Sequence, residues 1–242
     1  MRVSLLLSLL LAGCSVRPSE APTSPKVTVG TATVSGRVLD LSNLPVPQMR
    51  VTCPESDASM VTGDDGRWTL EVPADTSITL RAVAVDPLNV FKDVTFGPLQ
   101  LSNRARLEDV ELLSVPGSTI GGLNAIAGGD EARGVLAVRV VSVNGKCTPD
   151  DGTIELVQTS TARAVYNLPN SSQPERNLLK MQPNTRPQAW LSGIAPGTYQ
   201  TVRFTKPGCR QLPYPVAYRQ VSWLGGFRLQ AKALSQITVF ID

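Results

Sequence analysis

The sequence contains no histidine, so acid–base or nucleophilic chemistry would have to use paired carboxylates or Ser-Lys pairs, and no such site can be recognised in it. The commonest general base and the commonest metal ligand are therefore missing, and so is any Ser-His or Cys-His nucleophile. Two Asp-Asp-Gly segments, Asp64–Gly66 and Asp150–Gly152, could supply oxygen ligands to calcium. They lack the spaced ligands of a calcium loop, and Asp-Gly is typical of a tight turn. We expect turns at both places, and no catalytic residues, metal site or cofactor.

Four cysteines, Cys14, Cys53, Cys147 and Cys209, carry the remaining reactive groups. Cys53 continues an alternating apolar pattern, which predicts a thiol that points into the core. Cys147 and Cys209 follow turn-forming residues, in Asn-Gly-Lys-Cys and Lys-Pro-Gly-Cys, and we expect a disulfide between them. Such a bond would stabilise the fold by about 4 kcal/mol in an oxidising compartment. The alternative is that Cys53, Cys147 and Cys209 are all buried, unpaired thiols.

A cluster of aromatic residues near the end of the chain is the candidate ligand-contact site. Tyr214, Tyr218, Trp223 and Phe227 are four of the 12 aromatic residues in the sequence. Arginine and glutamine lie between them, so outward-facing rings could contact a sugar or a protein. If the rings point inward, they fill the core of the C-terminal half, which is the ordinary role of aromatic residues.

The N-terminus has the pattern of a secretory signal. One arginine precedes the apolar run Val3–Ala12, which is too short to span a hydrocarbon core that needs roughly 20 residues. The run ends in Leu11-Ala12-Gly13-Cys14, which resembles the bacterial lipobox. The resemblance implies that residues 1–13 are removed and that Cys14 carries the lipid. An ordinary signal peptide, with Cys14 unmodified, is the alternative.

The segment after Cys14 has the composition of a tether. Residues 14–30 are rich in proline, serine and threonine and poor in large apolar groups, which favours an extended spacer. Ser15 stands where a retention aspartate would hold a lipoprotein in the inner membrane. The lipobox resemblance therefore implies an exported protein anchored to the outer membrane through its N-terminal lipid.

The composition predicts a folded protein. Apolar residues make up 42% of the chain and charged residues 18%, which is enough to fill a core. Lysine and arginine are dispersed and the formal net charge is only +3, so nothing indicates a nucleic-acid partner.

Short runs of valine, leucine, isoleucine and threonine, separated by turn residues, predict an all-β chain with two β-sandwich domains. We place the first domain at residues 31–113 and the second at 135–242, with a glycine-rich seam at 114–134 that packs little. The predicted strands are 32–39, 48–53, 59–62, 67–72, 77–85, 91–96, 106–113, 135–143, 153–158, 163–166, 188–191, 198–204, 216–223, 226–230 and 235–241.

The first domain carries a family resemblance. Val34–Asp40, Leu44–Val51 and Thr62–Pro73 resemble the carboxypeptidase regulatory-like domain, a transthyretin-like β-sandwich. Within these segments Gly36 lets another backbone approach, and Asp65-Gly66 supplies the positive φ angles of a hairpin turn. The resemblance implies an accessory or binding module, because the zinc ligands and catalytic acid of those peptidases lie in a separate domain that has no counterpart here.

The second half shows weak sequence similarity to the first. At an offset of 122 residues, Trp68 corresponds to Trp190 and Thr76 to Thr198. The segment Ile194–Tyr199 resembles the closing turn and strand of prealbumin-like and collagen-adhesin B-type modules. This favours a second prealbumin-like or immunoglobulin-like sandwich. One larger β domain that runs through the seam is the alternative.

These observations predict a lipid-anchored, non-enzymatic cell-envelope protein. Its β-sandwiches would present loops for contact with a so far unidentified envelope protein or glycan. A carbohydrate-binding accessory lipoprotein is the first alternative. A carboxylate-dependent hydrolase is the second, and it would need a concave site with two facing carboxylates.

Overall fold

The computed structural model describes residues 30–126, 132–158, 162–171, 174–175, 177–183, 189–199 and 202–242. Over these residues the chain is all-β apart from one helix, as predicted. The helix is α1 (Gly117–Ile126), and no helix in the described part of the chain is long and apolar enough to cross a membrane. The strands are β1 (Thr31–Leu39), β2 (Met49–Thr52), β3 (Ser59–Val61), β4 (Arg67–Pro73), β5 (Ser77–Ala84), β6 (Val94–Leu101), β7 (Arg106–Leu113), β8 (Gly134–Ser142), β9 (Thr153–Leu156), β10 (Arg163–Asn167), β11 (Pro174–Glu175), β12 (Ala189–Ile194), β13 (Gly197–Tyr199), β14 (Val202–Thr205), β15 (Val216–Tyr218), β16 (Val221–Trp223), β17 (Phe227–Leu229) and β18 (Leu234–Ile241).

Period-two alternation builds the first sandwich. On β4 the apolar side chains Trp68, Leu70 and Val72 are buried while the residues between them are exposed. β4 pairs antiparallel with β1, and β1 pairs in parallel with β7, which gives the sheet order β4-β1-β7. The order β3-β2-β5-β6 forms the facing layer. The two layers enclose the first hydrophobic cluster.

Gly36 has the role that its place in β1 predicts. It lies opposite Val110 of β7, and a Cβ at this position would overlap the Val110 carbonyl group. A larger residue would push the parallel strand away, so the close β1–β7 pairing depends on this glycine.

The facing layer does not end with the first half of the chain. β6 also pairs in parallel with β18, and β18 pairs in parallel with β8, so one sheet continues through the order β6-β18-β8-β12-β10-β11. The first hydrophobic cluster includes Val135, Trp190 and Leu234 from the second half. A second cluster lies on residues of the C-terminal half. The boundary placed at residues 114–134 therefore does not separate two sheets, and the number of independently folding units stays a prediction.

The seam itself requires a correction. Residues 117–126 form α1, and Ile120, Leu123 and Asn124 are buried against the sheet. The Asn124 side chain donates to the Arg133 carbonyl (2.9 Å) and accepts from the Gly193 amide (3.1 Å). The expectation that this stretch packs little is wrong. Its glycines disfavour a helix, but contacts with the rest of the fold stabilise α1.

Two local predictions also change. The segment 216–223 is not one strand but the hairpin β15–β16, which turns at Arg219 and Gln220. The Asp65-Gly66 turn does not close a hairpin, because β3 and β4 belong to different sheets. Of these two turn residues, Gly66 has the positive φ, at 68°.

Candidate functional site

A groove of about 270 Å³ opens between the two sheets in the described part of the chain. Its floor is one face of the parallel strands β8 and β18, with Phe96 of β6. One wall is β7, and the other is the β15–β16 hairpin. Strands that are far apart in the sequence thus meet at one surface. This groove is the candidate functional site.

The two faces of β8 and β18 differ: one lies in the second hydrophobic cluster, and the other carries both apolar and polar side chains. Val138 and Val140 of β8 point into the second hydrophobic cluster. Ala137, Arg139 and Val141 alternate with them and line the groove. Ala137, Val141 and Phe240 make parts of the floor apolar, and the polar side chains of Arg139, Gln236 and Thr238 lie among them. Parallel strands are commonly covered on both sides, and here this side is left partly open.

Aromatic rings form the wall below the hairpin. Trp223 packs edge-on against Phe96, with 5.6 Å between ring centroids, and lies 5.3 Å from Phe240. Tyr218 lies 5.2 Å from Phe240 in a tilted arrangement. The Trp223 indole N–H is buried and has no hydrogen-bond partner among the described residues. These contacts fix the rings as a rigid apolar surface.

The hairpin turn places a cation over this surface. Arg219 and Gln220 have positive φ angles of 50° and 64°, which suit the tight two-residue turn between β15 and β16. The guanidinium carbon of Arg219 lies 5.3 Å from the centre of the Tyr218 ring. A cation and a second ring thus both contact Tyr218.

The opposite wall carries acidic side chains because β7 is irregular. The pairing with β1 shifts between Leu107 and Val110, so Glu108 and Asp109 together face a single β1 residue in a β-bulge. Asp109 has a φ of 58°. Consecutive residues from Leu107 to Glu111 line the groove as a result, instead of alternate ones.

Glu108 and Asp109 are exposed and form no ion pair with any described residue. Glu111 lies 3.7 Å from the Arg139 guanidinium on the floor. The three carboxylates share one wall, and the guanidinium groups lie on the floor and on the hairpin. The groove is therefore acidic along β7, where Arg139 is paired with Glu111, and basic at the hairpin, where Arg219 lies.

The free edge of β7 also faces the groove. The Ser114 amide donates to Leu39 of β1, whereas the Leu113 amide points the other way and donates to the Gln236 side-chain oxygen (2.8 Å). Gln236 belongs to β18, in the other sheet. The Gln236 carboxamide therefore accepts the hydrogen bond that a backbone carbonyl of a neighbouring strand would otherwise accept.

The predicted aromatic cluster divides between two environments. Tyr218 and Trp223 line the groove, as a ligand-contact role requires. Phe227 is 5% exposed and stacks on Tyr199 in the second cluster, so the core interpretation is confirmed for this residue. Tyr214 donates from its hydroxyl to the Thr238 carbonyl, and burial raises the pKa of Tyr214. A ligand contact is wrong for Phe227, whose ring is buried, and stays a prediction for Tyr214, whose side chain is only partly buried.

The thiol predictions agree with the structure where it describes them. Cys147 and Cys209 form a disulfide with 5.7 Å between their Cα atoms. Cys53 is a buried free thiol whose pKa is raised by burial. Cys14 lies outside the described residues.

Both Asp-Asp-Gly segments form turns. The Asp65 carboxylate accepts from the Arg67 amide (3.0 Å) and pairs with the Arg67 side chain. The Gly152 amide donates to the Pro149 carbonyl, which closes a turn at Asp151. Among the described residues no three acidic or cysteine side chains are grouped so that they could hold a metal ion.

Sequence reasoning did not identify the β7 wall of the groove. Glu108, Asp109 and Glu111 look like ordinary polar positions of a strand, and the bulge is visible only once the pairing with β1 is known. The one available signal was the Glu-Asp pair, which interrupts an otherwise alternating pattern.

Comparisons with known proteins give distant matches to solved structures only. No protein-family profile matches the chain, and no curated protein matches it. The Bacillus anthracis TIE protein is 13% identical over 88% of this chain and 34% of its own, with a TM-score of 0.27. A streptococcal ancillary pilin is 11% identical over 87% of this chain and 62% of its own, with a TM-score of 0.27. Shaft pilin SpaA from Lactobacillus rhamnosus GG is 11% identical over 89% of this chain and 98% of its own, with a TM-score of 0.25.

This chain therefore spans about a third of the TIE protein and less than two thirds of the ancillary pilin. TM-scores of this size do not establish a common fold, and the functional argument below depends on the groove and the sequence alone.

Proposed function

We propose that this protein is a lipid-anchored, non-enzymatic protein of the cell envelope that presents the groove to a protein or a glycan. The anchor is proposed from the apolar run before Cys14 and from the Leu-Ala-Gly-Cys sequence at its end. The proline-rich segment that follows would separate the folded part from the membrane. The localisation that goes with this proposal is the outer membrane.

The groove is the observation that carries the proposal. Its floor consists of hydrogen-bonded strands, and its rings contact one another, so its shape is fixed before any ligand binds. Apolar area with a few charged groups at its border is typical of ligand and partner sites. Little reorganisation is needed to bind a partner there, which favours recognition.

The arrangement of charges favours binding over hydrolysis. A carboxylate-dependent hydrolase needs carboxyl groups on both sides of the scissile bond. Here Glu108, Asp109 and Glu111 all lie along one wall, Arg139 is paired with Glu111, and the hairpin wall contributes Arg219 and no carboxylate. The groove therefore has the chemistry of a binding surface with two charged borders.

A glycan is the second candidate ligand, and Tyr218 and Trp223 in the groove favour it. Sugars stack on an open aromatic face. Arg219 and Phe240 both contact the Tyr218 ring, and Phe96 and Phe240 both contact Trp223. This crowding favours a protein over a glycan.

A blocked groove tests the proposal. Val141 lines the groove and is partly buried, so Val141→Tyr would fill it, whereas Val157→Tyr places the same ring at a residue that is 45% exposed elsewhere. We expect envelope components that bind the wild-type protein in detergent extracts to be lost with Val141→Tyr and kept with Val157→Tyr. The same captured set from all three proteins would contradict a role for the groove.

A further inference from the structure

We infer that the groove binds a short extended peptide segment of a partner protein, which places an apolar side chain on the floor and a lysine or arginine beside Glu108 and Asp109. This inference rests on the proposed function and names the class of partner. It is carried by the Leu113 amide at the outer edge of β7, by the charges of Glu108 and Asp109 along that edge and by the apolar side chains on the floor beneath it.

The edge of β7 offers a backbone position for the peptide. The Leu113 amide points into the groove and is bonded to the Gln236 carboxamide oxygen at 2.8 Å. A carboxamide oxygen and a peptide carbonyl oxygen are the same kind of acceptor. A peptide that lies beside β7 can therefore replace the Gln236 side chain with its own carbonyl group, as in strand addition to a sheet edge.

The bulge limits the length of this contact. Glu108 and Asp109 interrupt the regular edge, and bulges and charges are the usual means by which exposed edges avoid open-ended pairing. The regular part of β7 that remains, Val110–Leu113, is four residues long, or about 13 Å. The structure thus favours a short segment and disfavours unlimited addition of strands.

The charges select the sequence of the segment. Glu111 is paired with Arg139, but Glu108 and Asp109 have no ion-pair partner among the described residues. A basic residue on an added strand would meet these carboxylates, whereas an acidic residue would be repelled. Because side chains alternate along an extended peptide, the neighbouring side chain points to the apolar floor.

Synthetic peptides test the inference with the full-length protein in detergent. The capped pentapeptide Val-Lys-Val-Lys-Val is the probe, and Val-Glu-Val-Glu-Val and a Val-Lys peptide N-methylated at its central valine are the controls. Tryptophan fluorescence reports on the groove, because Trp223 lines it while Trp68 and Trp190 are 1% and 0% exposed. The NMR signal of the Leu113 amide reports on the edge itself.

We expect saturable binding of Val-Lys-Val-Lys-Val and none of either control peptide. Glu108→Gln with Asp109→Asn should weaken binding about fivefold, because the attraction between these carboxylates and the basic side chain of the peptide is lost. Asparagine tolerates the left-handed backbone at residue 109, so the fold is preserved. Glu71→Gln with Asp75→Asn is the matched control: both residues are exposed at the β4 side of the same sheet, and Asp75 also has a positive φ of 55°.

Gln236→Ala separates strand addition from a simple apolar contact. Removal of the competing carboxamide should strengthen binding of the peptide and shift the Leu113 amide signal further on saturation. Unchanged affinity in this variant, or equal binding of the N-methylated peptide, would overturn the inference.

Chitobiose as a probe distinguishes this inference from the wider proposal. If the disaccharide saturates the Trp223 response and the lysine peptide does not, the peptide inference is wrong while the groove remains a binding site. If neither probe binds but Val141→Tyr still abolishes capture of an envelope component, the inference is again wrong and the proposed function stands.

Discussion

At the scale of the residue, Gln236 holds two sheets together across the groove. Its oxygen accepts from Leu113, the last residue of β7, while its own backbone pairs with β8 and β6. Most buried backbone amides of a strand donate to another strand, whereas the Leu113 amide donates to a side chain. The same bond therefore completes the fold and marks the place where the edge of β7 can exchange its partner.

Tyr214 should make the stability of the protein decrease at high pH. Burial raises the pKa of its phenol in the folded state, while the unfolded phenol ionises near pH 10. The stabilisation is therefore complete below the unfolded pKa and is lost as the pH rises above it, because the unfolded state then releases the proton that the folded state retains. Urea unfolding at a series of pH values from roughly 8 to 11 measures how the free energy of unfolding changes with pH.

Tyr214→Phe is the matched variant for this prediction. At neutral pH it should cost about 1 kcal/mol, because the Thr238 carbonyl loses its donor. Above pH 10 or so the gap to the wild-type protein should close, since phenylalanine has no proton to lose. The same pH slope in both proteins would show that Tyr214 ionises normally in the folded state.

Cys14 should carry the membrane anchor. Cys14→Ala should abolish labelling with radioactive fatty acid and move the protein from the membrane fraction to the soluble exported fraction, because several acyl chains are needed for stable anchoring. Ser15→Ala is the control, and it should change neither the labelling nor the fractionation. Stable membrane association of Cys14→Ala would contradict the anchor.

At the scale of the element, the disulfide ties two loops of the second half. Cys147 follows β8 and Cys209 follows β14, and 62 residues separate them in the sequence. Cys147→Ser with Cys209→Ser should lower the free energy of unfolding by about 4 kcal/mol in the chain-entropy model. Chemical denaturation of the oxidised wild-type protein and the double variant measures this. A loss well below 1 kcal/mol or so would mean that the unfolded chain is already restricted in this region.

The elements also show which features a sequence can predict. β4 was predictable because Trp68, Leu70 and Val72 alternate with exposed residues, and the parallel β8 was predictable from its continuous apolar run. The helix α1 was not, because Gly117, Gly121 and Gly122 disfavour a helix in isolation. Its stability comes from Asn124 and two buried apolar side chains, which no local pattern shows.

One wall of the groove was predictable from the sequence and the other was not. Tyr218 and Trp223 stand out as aromatic residues among polar ones, so their types and spacing pointed to a contact surface. Their partners across the groove, Glu108 and Asp109, are more than 100 residues away in the sequence. The pairing of β6 with β16 and β18 places the hairpin beside the floor, and the Leu113–Gln236 bond places β7 on its other side.

At the scale of the whole molecule, the continuous sheet is the feature that decides how the halves behave. β6 lies between β5 and β18, so the first sandwich has no free edge there. An isolated fragment of residues 30–113 would expose that edge and the surface that covers Leu234 and Trp190. We therefore expect the first half to be less stable alone than within the full chain.

Trp68→Ala in the full-length protein tests this coupling. Trp68 is 1% exposed in the first cluster, which also contains Trp190 of β12, so its loss should cost about 3–5 kcal/mol. Because the two halves share a sheet and a cluster, we expect one unfolding transition at a lower temperature. Hydrogen exchange measures the amides of β1 and β12 separately, and both should lose protection together. Early exchange confined to β1, with β12 still protected, would show instead that the halves unfold independently despite their common sheet, as the sequence alone predicts.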